Sequence, residues 1–97
     1  MLSLQVLVVS MNQKNISIIE NSNIKSDVII SNQCSKNEVE IFTKCSKEIL
    51  MLSFAERGVG LNRNNALMRA KADICVFADD DMKYVDNYEE IITKAFE

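Results

Sequence analysis

Three consecutive aspartates, Asp79, Asp80 and Asp81, are the side chains of this 97-residue sequence best suited to chemistry. Adjacent carboxylates repel one another, so a folded protein keeps them ionised together only where solvent, basic side chains or a cation offsets that repulsion. Their oxygen atoms suit Mg²⁺ or Mn²⁺, which is commonly shared between one or two carboxylates and the phosphates of a substrate. The triplet therefore indicates a divalent metal beside a phosphate-bearing ligand. The competing interpretation is a solvated turn or a helix cap, because aspartate is common at both.

The residues around the triplet determine where it would lie. The apolar run over residues 74–78 predicts a strand that ends at the aspartates, and ligands of open α/β sheets bind outside the carboxyl ends of the strands. Gly58 and Gly60, the only glycines, fall in one turn before a predicted helix over residues 61–71. Such a turn favours either close approach of the backbone to a phosphate or a tight start to the helix.

The rest of the sequence alternates apolar runs with amphipathic segments. Further strands are predicted over residues 2–10, 27–31 and 48–54, and further helices over residues 13–24 and 87–97. Strands that alternate with helices give a parallel sheet with helices on both faces. The predicted fold class is therefore α/β, a Rossmann-like three-layer α/β/α arrangement with a mostly parallel sheet, in a single domain over residues 1–97.

Residues 36–47 fit two structures. Val39, Phe42 and Cys45 recur at helical spacing, whereas Val39, Ile41 and Thr43 alternate as in a strand. A short run of residues does not separate these patterns, and we favour the helix.

The composition excludes several classes of protein. With no histidine, the chain lacks the common zinc ligand sets and the Ser-His and Cys-His nucleophilic pairs. Its three cysteines form no C-x-x-C pair, which argues against a disulfide framework and favours a reducing compartment. The net charge of −3 argues against a nucleic-acid-binding protein. The apolar run at the N-terminus is too short to span a membrane or to form a signal peptide.

The stretch from Gly58 to Asp81 resembles the nucleotide-binding half of the inverting glycosyltransferases of family 2, which have the GT-A fold. The resemblance rests on a glycine turn, the pair Arg63-Asn64, a helix with small residues, and a strand ending in an acidic motif of the D-x-D type. It implies a partial GT-A domain whose four predicted strands lie in the order 3-2-1-4. Two places differ from the family pattern: only Asn12 matches the usual Pro-x-Tyr-Asn after the first strand, and residues 32–35 replace the usual Asp-Asp-Gly-Ser.

By this resemblance, the chain binds a nucleotide-diphosphate sugar, with a UDP-sugar as the first expectation, as the donor half of a glycosyltransferase. The sugar would pass to an acceptor hydroxyl, of a glycan or a lipid-linked sugar, held by a further half that also carries the general base. We therefore expect no catalytic residue in this chain and no turnover by it in isolation. We expect a cytoplasmic location, either free or peripheral at the inner face of the membrane in a full-length enzyme.

The resemblance also assigns roles to individual side chains. Asp79 and Asp81 would hold Mn²⁺ or Mg²⁺, Asn12 and Asn32 would face the base, and Arg63 would support the diphosphate. The residues expected to contact the nucleotide-sugar are Ser10, Asn12, Asn32, Arg63, Asp79 and Asp80.

The alternative is a non-catalytic α/β module that binds metal or nucleotide, or that only assembles with a partner. A phospho-acceptor receiver domain also clusters aspartates beside magnesium, but it requires an acidic pair after the first strand, where this sequence has Ser10-Met11-Asn12. A truncated domain would also leave an apolar face exposed, which favours a homo-oligomer.

Overall fold

A five-stranded sheet forms the centre of the structure, a computed structural model that describes residues 2–13, 15–55, 59–79 and 82–96. The elements in chain order are β1 (Leu4–Met11), α1 (Ile18–Asn21), β2 (Asp27–Gln33), β3 (Glu38–Lys44), β4 (Lys47–Phe54), α2 (Val59–Arg69), β5 (Ile74–Asp79) and α3 (Tyr88–Ala95). This alternation places the chain in the α/β class.

The strands lie in the order β3-β4-β2-β1-β5. All neighbours are parallel except β3 and β4, which are antiparallel. Strand β1 lies between two parallel neighbours, and its residues Val6, Leu7 and Val8 are all buried. A strand covered on both faces needs apolar residues at successive positions, which explains the continuous Val/Leu run in its sequence.

The two faces of the sheet carry separate apolar cores. On one face, Val6, Val8 and Ile30 pack with Ile18 of α1 and Tyr88 of α3. On the other face, the alternate strand residues Leu7, Ile29 and Leu52 pack with Ala66 of α2. Because successive strand residues point to opposite faces, each of the four parallel strands contributes to both cores. The prediction that helices cover both faces of the sheet is therefore confirmed.

The expected strand order agrees with the structure for the parallel strands, since β4, β2, β1 and β5 correspond to the predicted order 3-2-1-4. The sheet is mixed, however, because it gains the antiparallel strand β3 at its outer edge.

The helix that we favoured over residues 36–47 is wrong, since β3 occupies Glu38–Lys44. The chain turns at Cys45 and Ser46, where φ is 51° and 64°, and returns as β4. Positive φ at both central residues of a two-residue turn gives the type I′ geometry of a β-hairpin. The pairing of β3 with β4 thus decides between two patterns that the local sequence left open.

The helix expected over residues 13–24 is much shorter than predicted, because α1 covers only Ile18–Asn21. Ile18, Ile19 and Ile24 are nevertheless buried against the sheet. The isoleucine spacing therefore identified core residues correctly, although most of the segment is irregular. Among the described residues, no helix combines the length and the hydrophobicity needed to cross a bilayer.

Candidate functional site

The four parallel strands end side by side. In the strand register, Ser10 pairs with Asn32, Asn32 pairs with Ser53, and Val9 pairs with Asp79. We call the line formed by the ends of β1, β2, β4 and β5 the carboxyl edge. It is the place where open α/β sheets bind their ligands, and it brings together the strand ends to which the sequence assigned a site.

The side chain of Asn32 holds the loop that follows β1. Its Oδ1 accepts a hydrogen bond from the backbone N–H of Gln13 at 2.9 Å, and its Nδ2 donates to the backbone oxygen of Gln13 at 2.9 Å. A third bond joins Nδ2 to Oγ of Ser53 at 3.3 Å. The side chain is 0% exposed. An amide supplies both donors and acceptors, so it satisfies both backbone groups of one residue.

This geometry differs from the expectation that Asn32 faces the base of a nucleotide. Its amide is buried and bonded to Gln13 and Ser53. The loop that it holds, rather than its own side chain, reaches the surface.

Small polar residues surround Asn32 on the same face of the sheet. Ser10 and Ser53, its register neighbours on the flanking strands, are also buried, at 3% and 5% exposure. They extend the alternation of the apolar residues Val8 and Met51, which face the core beside α1 and α3. The core therefore becomes polar where it reaches the carboxyl edge.

Asn12 has the opposite character, since it is exposed. Its backbone N–H donates to the oxygen of Gln33 at 2.8 Å, and its φ of 54° lies in the left-handed region. Asparagine is one of the few residues that adopts this conformation readily. A sharp turn directly after β1 thus presents the Asn12 side chain to solvent at the carboxyl edge.

The acidic part of the predicted site lies mostly outside the described residues. Strand β5 ends at Asp79, whose backbone is in register with Val9, but its side chain is outside the described part of the structure. Asp80 and Asp81 lie outside it entirely. Among the described residues, no group of three His, Cys, Asp or Glu side chains is placed to hold a metal ion. The metal site therefore stays a prediction.

Arg63 lies in α2, which begins at Val59 shortly after β4 ends at Phe54. The first turn of α2 therefore starts near the carboxyl edge. The guanidinium of Arg63 is outside the described part of the structure, and its role also stays a prediction.

The chain that follows the acidic triplet is fixed to the end of α1. The N–H of Tyr84 donates to the oxygen of Ser22 at 2.9 Å, and Nδ2 of Asn23 donates to the oxygen of Tyr84 at 2.8 Å and to Asp86 at 2.9 Å. Hydrogen bonds from Asn23 and Lys25 lower the pKa of Asp86 below its ordinary value. The triplet is thus connected on one side to the edge strand β5 and on the other to a loop held by several hydrogen bonds.

The sequence analysis did not predict that Gln13 and Ser53 form hydrogen bonds with the side chain of Asn32. A signal was available: β2 continues its buried run Val-Ile-Ile with Ser31 and Asn32. An amide in the last buried position of a central strand needs hydrogen-bond partners from neighbouring elements. The identity of those partners depends on the sheet order.

A cavity of about 410 Å³ lies away from this site, at the amino ends of β2 and β4. Its walls include Ile19, Ile24 and Ile49, with Lys44 and Lys47 at its rim. Size alone would make it a ligand site, but the end of β5, from which the predicted acidic site begins, lies at the carboxyl edge.

Comparison with known proteins agrees with the resemblance found in the sequence. No curated protein and no solved structure matches the chain. The family model described as glycosyl transferase family 2 matches residues 14–97, which include α1, β2 to β5, α2 and α3. The chain belongs to glycosyl transferase family 2.

Proposed function

We propose that this chain binds a nucleotide-diphosphate sugar at the carboxyl edge, as the donor-binding half of a glycosyltransferase with a partial GT-A fold. The observation that carries the proposal is the register of the parallel strands. It places Asp79 beside Val9 and Ser10 beside Asn32. The start of the acidic triplet and the loop after β1 are therefore neighbours at the edge where α/β sheets bind ligands. Family membership gives this edge its ligand class.

Asn12 and Asn32 have different roles in this proposal. The exposed Asn12 contacts the base of the nucleotide through its amide, which both donates and accepts hydrogen bonds. Asn32 is a positioning residue that fixes the loop through Gln13. Ser10 supports the same loop from within the core. The base is therefore recognised by a loop that is already in place before the ligand binds, which reduces the ordering cost of binding.

The donor atoms at the end of β5 fit a divalent cation, because three successive carboxylates supply the hard oxygen ligands that Mn²⁺ and Mg²⁺ prefer. Asp79 and Asp81 would hold the ion, and Asp80 would contact the nucleotide-sugar. When bound, the ion stabilises the charge that develops on the departing diphosphate. Arg63 contributes a fixed positive charge whose geometry matches a phosphate.

The transfer step needs groups beyond those assigned here. An attacking hydroxyl of the acceptor, a glycan or a lipid-linked sugar, must lose a proton to a general base, and no residue of this chain is assigned that role. We therefore expect the 97-residue protein to bind the donor without transferring it. Turnover by the purified chain would contradict this part of the proposal.

Calorimetric titration tests donor binding. The purified chain is titrated with UDP, GDP and CDP, each with and without Mn²⁺. We expect Mn²⁺-dependent binding of UDP that is lost in Asp81→Asn. The control is Asp73→Asn, the same substitution just before the start of β5, at its opposite end, and it should bind like the unmodified protein. No binding of any of the three nucleotides to the folded protein would contradict the proposal and favour a module that only assembles with a partner.

A second pair of variants distinguishes the residue proposed to contact the base, Asn12, from the residue proposed to position the loop, Asn32. Asn12→Gly removes only an exposed side chain and tolerates the positive φ of this position, so it should weaken nucleotide binding without lowering the unfolding free energy. Asn32→Ala should weaken binding and also destabilise the protein by about 2 kcal/mol, because it leaves backbone groups of Gln13 without their partners. The control is Asn37→Ala, which removes an exposed asparagine with one bond to Ala55. If Asn32→Ala leaves the affinity unchanged, the loop does not form the site.

A further inference from the structure

Strand β3 presents an exposed apolar strip at the outer edge of the sheet. Ile41 is 67% exposed and Val39 is 57% exposed, and both lie on the face of the sheet that carries α2. The strand pairs only with β4, so its other side has no neighbouring strand within the described structure. An open edge of this kind can pair with a further strand.

The charges at the two ends of β3 are arranged symmetrically about Ile41. Glu38 begins the strand and Lys44 ends it, each three residues from Ile41. In an antiparallel pair of β3 strands with Ile41 opposite Ile41, Glu38 of each copy lies opposite Lys44 of the other. The two side chains lie on the same face, and they are 40% and 42% exposed. Opposite charges in directly opposed positions stabilise an antiparallel pair.

The backbone pattern fits the same register. The type I′ turn closes with a hydrogen bond between Lys44 and Lys47, the residues that flank it. Along an antiparallel pair, residues alternate between bonding to the partner strand and pointing outward. Val39, Ile41 and Thr43 therefore direct their backbone N–H and C=O groups away from β4. In the register centred on Ile41, Val39 of one copy lies directly opposite Thr43 of the other. The outward N–H and C=O groups of Val39, Ile41 and Thr43 then all form hydrogen bonds with the other copy.

We propose that two copies of this chain associate through antiparallel pairing of their β3 strands, with the two-fold axis at Ile41. The interface is isologous, because the same strand contributes from both copies. It joins the two sheets into one and covers the exposed Val39 and Ile41 side chains.

The opposite edge of the sheet lacks this complementarity. A fully overlapping antiparallel pair of β5 strands brings no opposite charges together, because Asp79 is the only charged residue in the sequence of that strand and it lies opposite Ile74. The β3 interface also leaves the carboxyl edge open, so it is independent of the proposed donor site.

The surface ion pairs that Glu38 and Lys44 already form do not prevent this association. Glu38 pairs with Lys36, and Lys44 pairs with Glu20, each at 2.6 Å. All four side chains are at least 40% exposed, and exposed pairs of this kind contribute little. Each charge can accept a second partner from the neighbouring copy.

Sedimentation equilibrium of the unmodified 97-residue protein and of charge-reversal variants tests the proposal. Glu38→Lys places two lysines together at each end of a homodimer, and Lys44→Glu places two carboxylates together. Each variant should raise the dimer dissociation constant about ten-fold or more. Mixed in equal amounts, the two variants should form a heterodimer, because each then supplies the charge that the other lacks. The double variant, with both charges exchanged, should dimerise like the unmodified protein.

The control is Lys94→Glu, which makes the same change of net charge as Lys44→Glu at an exposed ion pair on α3 and should leave association unchanged. Circular dichroism confirms that each variant is folded. A protein that stays monomeric at all concentrations would overturn the proposal, as would failure of the mixed variants to associate. Dimers that persist in both single variants but are lost in Phe77→Ser would assign the interface to β5 instead, since Phe77 is exposed on that strand.

Discussion

Tyr84 and Tyr88 show how strongly the effect of a buried hydroxyl group on stability depends on its hydrogen-bond partners. The rings of Tyr84 and Tyr88 lie 4.7 Å apart. The hydroxyl of Tyr88 accepts hydrogen bonds from the N–H groups of Lys25 and Ser26, at 2.8 and 2.9 Å, and lies 2.6 Å from Oγ of Ser26. The hydroxyl of Tyr84 is buried and has no partner among the described residues. Burial, with a further contribution from Tyr88, raises the pKa of Tyr84.

The same substitution should therefore have opposite effects at these two positions. Tyr88→Phe leaves the N–H groups of Lys25 and Ser26 without their acceptor, and we expect it to lower the unfolding free energy by about 2 kcal/mol. Tyr84→Phe removes a buried hydroxyl that makes no bond, so stability should be unchanged or rise by up to about 1 kcal/mol. Urea denaturation of both variants measures the difference. Equal losses would mean that Tyr84 also has a hydrogen-bond partner.

Asp73, the residue directly before β5, is bonded through its carboxylate to Ser3 near the start of the chain. It accepts hydrogen bonds from the N–H of Ser3 at 2.9 Å and from Oγ of Ser3 at 3.1 Å. These bonds, the backbone bond first, hold the pKa of Asp73 below its ordinary value of 3.8. A carboxyl group whose pKa is lower in the folded state stabilises the protein above the unfolded-state pKa. That contribution is lost as the pH falls through the folded-state pKa.

We therefore expect the unmodified protein to be more stable than Asp73→Asn at neutral pH, with an advantage that declines as the pH falls below 3.8. Unfolding curves measured from neutral pH into the acid range give the difference at each pH. Ser3→Ala should reduce the pH dependence less than Asp73→Asn does, because the backbone bond of Ser3 remains. A stability difference that does not change with pH would show that the charge of Asp73 has no effect on stability.

Single residues also mark where sequence reasoning reached its limit. The sequence predicted a strand over residues 27–31 followed directly by Asn32, and the structure extends this strand to Gln33, so that Asn32 is the last residue but one of the strand. The sequence did not predict that its amide turns toward Gln13, which lies 19 residues away in the chain. That contact depends on the parallel pairing of β1 with β2, which local spacing does not encode. The roles of Asp79, Asp80 and Asp81 stay predictions.

Among the elements, β3 shows why local patterns are insufficient. Val39 and Phe42 satisfy a helical period, and Val39 and Ile41 satisfy a strand period. The strand forms because β4 offers a pairing edge and a turn brings the two segments together. The apolar residues of β3 on the α2 face, Val39 and Ile41, stay exposed, because the strand lies at the edge of the sheet. The strand therefore lacks a clear division into one buried and one exposed face. Sequence patterns identified the other strands because those carry continuous apolar runs.

The turn between β3 and β4 is formed by residues that do not favour it. Ser46 has a φ of 64°, a conformation that costs about 1–2 kcal/mol for most residues and little for glycine. Ser46→Gly should therefore raise the unfolding free energy by about 1 kcal/mol. The control is Ser35→Gly, at an exposed loop residue without positive φ, which should be neutral or destabilising. Thermal or urea denaturation measures both. A loss of stability in Ser46→Gly would mean that the turn has a different conformation in solution.

At the scale of the whole molecule, the order of the parallel strands follows from the family resemblance, and the structure agrees with it. The predicted order had four strands and lacked β3, because we favoured a helix over residues 36–47. In the structure this segment pairs antiparallel with β4 through the short turn at Cys45 and Ser46. The sheet therefore has a well-protected centre, β1 and β2, between two edges of different character. The β5 edge adjoins the acidic triplet, and the β3 edge carries the symmetric charges.

This arrangement predicts a gradient of hydrogen exchange across the sheet. Amides of β1 and β2, such as those of Val8 and Ile30, lie between bonded strands and under buried side chains, so they should exchange only when the whole protein unfolds. The outward amide of Ile41 should exchange rapidly in dilute protein, because β3 has a bonded neighbour on one side only. Raising the protein concentration should slow exchange at Ile41 and leave the inward amide of Phe42 unchanged, since pairing of two β3 strands covers only the outward groups. Exchange measured by NMR at two concentrations separates these amides. Slowing at β5 instead of β3 would place the contact between copies at the other edge of the sheet.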